Sequence, residues 1–239
     1  MGHWLTGVMN WLDARLGFRD VMLPVLKHPI PRGAAGPMGW WYVFGSASMT
    51  LLMIQVATGI GLALVYVPSA DRAYDSLLYL NYEHPAGWFL RALHYYAGSG
   101  MVVMVLAHLT QVFLHGAYKY PRELTWIIGV VLLILTLAMG FTGYLLPFDQ
   151  RSYWATIVGV NINNTAPFLG PYIGDFLRGG PEFGATTLSR FYAIHMMLIP
   201  GIMAALIGAH LYLVTKLGIS APPWIKTNTE PQEALTAEV

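Results

Sequence analysis

The chain has no cysteine. This excludes disulfides, thiolate iron–sulfur ligation and thioether-linked cofactors on this polypeptide. Charge is scarce too: 10% of residues are Asp, Glu, Lys or Arg, where a soluble domain carries about 25%. The shortage runs through all 239 residues, 56% are hydrophobic and the mean hydropathy is +0.52. The composition points to an integral membrane protein. A net charge of +1 carries no nucleic-acid signature, and no such partner is expected. The first twenty residues lack the basic start, clean apolar core and small-residue cleavage site of a signal peptide. Trp4, Leu5, Val8, Met9, Trp11, Leu12 and Leu16 fall on one helical face instead. Residues 1–38 therefore read as an amphipathic surface segment, lying on the membrane or packed on a partner subunit.

Crossing the hydrocarbon takes about 20 mostly apolar residues. Four segments qualify, predicting an all-α integral membrane fold of four transmembrane helices: span A Gly39–Val67, span B Ala86–Gly116, span C Leu124–Leu146 and span D Thr187–Lys216. Short A–B and B–C connections make those neighbours antiparallel. The C–D connection, 147–185, is long and rich in Gly, Pro and aromatics, and long loops tend to be functional. Short surface helices at one membrane face are expected there, and 217–239 reads as a polar, disordered tail. Arg15, Arg19, Lys27, Arg32, Lys119, Arg122, Lys216 and Lys226 fall on one side of this topology. Arg72, Arg91, Arg151, Arg178 and Arg190 fall on the other. The positive-inside rule then places both termini on the cytoplasmic, negative side.

Two spans carry histidine pairs: His94 and His108 in B, His195 and His210 in D, separated by 14 and 15 residues. On an α-helix those steps end about −40° and +60° from a common face and climb roughly 21–22 Å. Each span offers one imidazole at each of two depths. B and D run in the same direction, so His94 matches His195 in height, and His108 matches His210. Singly, such histidines serve packing or a proton path. Four at matched depths fit bis-histidine clamps on two planar metal cofactors stacked across the bilayer, an electron wire. Gly45 and Gly59 in A, and Gly129 and Gly143 in C, repeat the 14-residue step. They read as places where a flat macrocycle presses on the backbone, or where helices pack closely. Arg91, Lys119 and Arg122 are placed to meet haem propionates or to snorkel at the interface. His3, His28, His84 and His115 fall outside the pattern and read as interfacial or surface residues.

QVATG (55–59), RALHYYAGSGMVVMVLAHLTQVFLHG (91–116), YPRELTWIIGVVLLILTLAMGFTGYLLPFDQRSYWA (120–155), TLSRFYAIH (187–195) and LGIS (217–220) together resemble the cytochrome b family. The match is to the shorter b6-type protein, the family's N-terminal half. The resemblance implies the di-haem subunit of a Rieske/cytochrome b complex, a quinol–cytochrome c or quinol–plastocyanin-type oxidoreductase that translocates protons, inactive alone. His94 and His195 would hold a low-potential, positive-side haem b, and His108 and His210 a high-potential, negative-side one. Gly143, Tyr144, Leu146, Pro147, Phe148, Tyr153 and Trp154 would wall the quinol-oxidation pocket. Implied partners are a Rieske iron–sulfur protein, a c-type cytochrome and a separate subunit carrying the C-terminal half. A dimeric complex in a bacterial plasma membrane or thylakoid-type membrane is implied as well.

Departures from the family's pattern carry expectations of their own. Val43 stands where some b6 relatives have the cysteine of an extra covalent haem, so none is expected here. Phe148, Gln111 and Thr215 replace a common Trp and two common Arg. The family's PEWY motif is missing, and Pro181-Glu182-Phe183 is a loop turn. Two other classes stay open: a di-haem anchor serving a peripheral dehydrogenase, and a haem-free transporter relaying protons through histidines.

Overall fold

The computed structural model describes residues 2–17, 19–20, 23 and 36–223. Lys27, His28, Arg32, Lys226 and the tail beyond 223 lie outside the described residues. Among the described residues all regular secondary structure is helical, with no strand. Helix α1 (Gly2–Leu16) carries the apolar series Trp4, Leu5, Val8, Met9, Trp11 and Leu16 exposed to differing degrees. A 3-10 turn, Gly36–Tyr42, leads into α2 (Val43–Ala63). Next come α3 (Ala73–Tyr82), α4 (Gly87–Leu114), α5 (Glu123–Tyr144), α6 (Gln150–Asn164) and α7 (Gly170–Arg178). Then follow α8 (Ala185–Ala193), a π-helical turn (Ile194–Leu198) and α9 (Ile199–Leu217).

Four stretches are long and apolar enough to cross a bilayer: Gly39–Ala63, Gly87–Leu114, Glu123–Tyr144 and Ala185–Leu217. They occupy spans A to D, with small shifts at the ends that have local causes. Span A stops at Ala63 because the chain turns there, and the Val67 amide bonds to Ser76 Oγ, 3.2 Å away. Span B starts at Gly87, after Ala86 in the left-handed region at φ 56°. A side chain at Gly87 would clash with the Leu80 carbonyl, so the corner needs glycine.

The A–B connection, read from sequence as short, contains α3. Its Ala73, Leu77 and Leu80 recur at helical spacing and are buried, and that period was there to be read. Asp149 opens α6 with a reciprocal capping box: its carboxylate accepts the Ser152 amide at 2.7 Å while Ser152 Oγ accepts the Asp149 amide.

Packing is concentrated in two places. Ala73, Leu145, Val160, Leu188 and Phe191 form one core, beneath the loop helices α3, α6 and α7. Met101, Ile194, Ile199 and Met203, with Leu52 and Leu135 against them, form the second. Leu52 and Met101 stand midway between the paired glycines of A and the paired histidines of B, so this second core fills the space between the two histidine levels. Elsewhere the spans turn apolar residues outward, among them Ile60, Val103, Ile127, Ile134 and Met197. An apolar exterior of this extent suits lipid rather than water.

Candidate two-level histidine site

Each glycine faces one histidine. A Cβ built on Gly59 would stand 3.3 Å from Cε1 of His94, and one on Gly45 would stand 3.3 Å from Cε1 of His108. The same holds between C and D: 3.4 Å from Gly129 to His210 and 2.7 Å from Gly143 to His195. A therefore backs B and C backs D, each pair antiparallel. The two halves of the bundle repeat one device, a glycine that lets an imidazole edge lie on the facing helix. In this arrangement it is the imidazoles that press on the glycines.

Across the bundle, His94 and His195 face each other with ring centroids 6.4 Å apart and planes at 71°. His108 against Gly45 and His210 against Gly129 form the second level. B and D thus run parallel, with one histidine pair per level. The 15-residue step in D should have thrown its two rings onto different faces. The π-helical turn takes up the surplus residue, with the Ile199 amide bonding to the Ile194 carbonyl five residues back. Pro200 follows directly; it has no N–H and disfavours a regular α turn before it. An Ile-Pro-Gly inside an apolar helix was the sequence signal for this irregularity.

The donor set fits a macrocyclic metal cofactor. Two metal–nitrogen bonds of about 2 Å, plus the half-widths of two imidazoles, sum to roughly the observed ring separation. Among the described residues no group of three or more His, Cys, Asp or Glu gathers, so protein side chains alone complete no coordination sphere. A flat macrocycle bringing its own metal and nitrogen donors would be held there by His94 with His195 and by His108 with His210.

Sequence reasoning passed over two side chains that touch the histidines. Thr58 Oγ1 lies 2.8 Å from His94 Nδ1, and Thr142 Oγ1 lies 3.2 Å from His195 Nδ1. Each threonine immediately precedes a glycine of the series, and that repeated Thr-Gly pair was the legible signal. His115 is 5% exposed rather than at the surface. Its Nδ1 is 3.0 Å from Gln111 Nε2 and its ring lies beside Tyr42 and Trp41.

The cations separate. Arg91 lies one turn before His94 and is half-buried. Lys119 is exposed, its Nζ 5.8 Å above the Tyr118 ring. The Arg122 guanidinium donates to the Gly218 and Leu217 carbonyls at 2.9 and 3.1 Å, capping the negative end of α9.

Beyond the first level, Phe148, Tyr153 and Trp154 line a cavity of about 430 Å³ together with Ala70, Asp149 and Gln150. Tyr153 donates to the Phe183 carbonyl at 2.9 Å, and its ring meets those of Phe148 and Phe183 edge-on. Phe148 sits at φ 50°, a strained setting for a bulky residue. Leu146 instead offers its carbonyl to Tyr66. Gly143 belongs to the histidine level, and Tyr144 and Pro147 link the two regions.

A four-span helical bundle with facing histidines at two levels defines a class of membrane redox scaffold. The family model for cytochrome b/b6/petB matches residues 32–218, and the chain belongs to that family. It is 37% identical over 222 residues to the menaquinol:cytochrome c reductase cytochrome b subunit of Geobacillus thermodenitrificans, covering 91% of this chain and 99% of that one. It is 39% identical to the cytochrome bc complex cytochrome b subunit of Chlorobaculum thiosulfatiphilum, covering 90% of this chain but 50% of that one. A solved hyperthermophilic respiratory complex III superposes with a TM-score of 0.80 at 31% identity, over 94% of this chain and 59% of the other. The chain thus spans about half the length of some relatives and nearly all of others. Membership of this family, with four bilayer-length helices, makes it an integral membrane protein of the electron-transport class, for which haem b and a quinol substrate are implied.

Proposed function

We propose that this chain is the di-haem cytochrome b subunit of a proton-translocating quinol:cytochrome c, or plastocyanin-type, oxidoreductase. The observation that carries the reading is the pairing of four histidines at two levels, each with its own glycine. His94 and His195 would hold one haem b and His108 and His210 the other, both without covalent attachment since Val43 offers no thiol. Bis-histidine haem supplies one-electron iron chemistry with no open coordination position. The apolar core between the levels keeps water out of the path. The cavity at Phe148, Tyr153 and Trp154, with Gly143, Tyr144, Leu146 and Pro147 behind it, suits the flat ring of a quinol beside the first level. Arg91 and Lys119 remain candidates for propionate contact at opposite ends, while Arg122 has the α9 carbonyls as partners.

Completion by a second polypeptide, a Rieske iron–sulfur protein and a c-type cytochrome, in a dimeric complex, is what the family resemblance implies; relatives named as subunits of a cytochrome bc complex and a menaquinol:cytochrome c reductase support it. The termini belong on the negative side. The anchor alternative gains nothing, because PRELTW and GYLLP…YWA lie inside the family match. Rapid mixing of the oxidised complex with quinol tests the reading. The native protein should reduce two b haems in sequence, and His108→Ala should reduce the one at His94 and stop. Retention of both haems in His108→Ala overturns the ligand assignment.

A further inference from the structure

We propose that Thr58 and Thr142 hold the haem of the His94–His195 level at the lower potential, by accepting the Nδ1–H of both its axial histidines. The inference rests on the ligand reading above. Its geometry is that of two buried hydroxyls whose protons are already committed. Thr58 Oγ1 donates to the Ile54 carbonyl at 2.6 Å and Thr142 Oγ1 to the Ala138 carbonyl at 2.8 Å. The oxygen turned toward each imidazole is therefore an acceptor, at 2.8 and 3.2 Å. Nδ1 must carry the proton, which leaves Nε2 unprotonated and free to ligate. A hydrogen bond from Nδ1–H moves electron density toward Nε2 and makes the ring a stronger donor. Stronger axial donation favours the oxidised iron and lowers the potential.

The other level lacks this device. There the residues before the glycines are Phe44 and Ile128, which offer no hydroxyl. Nδ1 of His108 and of His210 is buried with no hydrogen-bond partner. The Gln111 side chain and the Thr125 backbone lie in the vicinity, but neither makes a bond of normal geometry to Nδ1. Two Thr-Gly pairs on one level and none on the other give the two sites unequal ligand basicity. Electron flow then runs downhill from the Thr-Gly level to the Phe-Gly and Ile-Gly level. Thr58 and Thr142 are positioning residues: they act on the metal only through the imidazoles.

The test is a potentiometric titration of the two b haems in the whole purified complex. Thr58→Val, Thr142→Val and the double variant keep side-chain shape and lose the hydroxyl, while Thr58→Ser and Thr142→Ser keep it. The valine variants should raise the lower midpoint, each favouring reduction several-fold, where tenfold corresponds to about 59 mV. The double variant should shift further, the higher midpoint should stay, and serine should restore the native value. A lower midpoint unmoved in the double variant, or equal movement of both midpoints, overturns the proposal while leaving the ligand reading intact. Absence of haem from the native chain would defeat the ligand reading itself. If the valine variants do not assemble, redox-induced infrared difference spectra of the native complex decide. Strongly hydrogen-bonded Nδ1–H bands should accompany the low-potential haem only, and identical bands for both haems refute the idea.

Discussion

Replacing Gly143 by alanine adds one methyl group at the tightest of the four glycine–histidine contacts. That Cβ would stand 2.7 Å from His195 Cε1 and 3.2 Å from Nδ1, inside van der Waals contact. A free side chain would swing away, but this imidazole is tethered at Nδ1 by Thr142 and, on the proposed reading, at Nε2 by iron. The strain has to go into the span C–span D contact or into the ligand bond. Overpacking of this kind costs about 1–3 kcal/mol, a loss of roughly 5- to 150-fold in haem retention at the first level. The companion substitutions are milder. At Gly45 and Gly59 the new Cβ stands 3.3 Å from its histidine, and at Gly129 3.4 Å, so a few tenths of an ångström of adjustment relieves them. The assay is haem content per polypeptide, with the rate of haem transfer to apomyoglobin, across the four Gly→Ala variants. Gly143→Ala should lose haem fastest and Gly129→Ala should resemble the native protein. A reversed order, or a Gly143→Ala variant that keeps both haems at the native transfer rate, would refute the packing argument.

Three further outcomes are expected. Deleting Met197, an exposed residue of the π turn, together with Pro200→Ala should return span D to a 14-residue step on a regular helix with both haems kept; loss of a haem would mean the turn does more than correct register. Arg122→Gln should lower the melting temperature of the complex by removing charged hydrogen bonds worth about 1.5–3 kcal/mol each, with both haem midpoints unchanged; a shifted midpoint would make Arg122 a propionate partner instead. Tyr153→Phe removes the bond to the Phe183 carbonyl, worth about 1 kcal/mol, and should raise the KM for quinol several-fold at unchanged haem content. An unaltered KM there would detach the cavity from quinol binding.

Much of the site was readable in the sequence because membrane helices leave few choices. Once four apolar segments are seen, histidines 14 or 15 residues apart must lie near opposite ends of a span, and period-14 glycines must match them in height. Partner choice was not readable from period alone. That Gly59 backs His94 and Gly143 backs His195 depends on which helices pack together, which only the folded bundle decides. The extra residue in span D looked like a 100° disagreement with span B, and its resolution needed a backbone irregularity that Pro200 hinted at. Thr58 and Thr142 were hidden for another reason: a threonine in a membrane helix usually bonds only its own i−4 carbonyl, and both do so while also meeting a histidine. Arg122 reads from sequence as an interfacial cation, yet its partners are backbone carbonyls about 95 positions away, beyond the reach of any local pattern.

The central claim, two haems clamped by four histidines of this one chain, is tested most directly by a dithionite-reduced minus oxidised spectrum of the purified complex with pyridine-haem quantitation. The account predicts two acid-acetone-extractable b haems per copy of the chain, falling to one in His195→Ala or His210→Ala. A native protein with one b haem or none, or a histidine variant that keeps both, would contradict it.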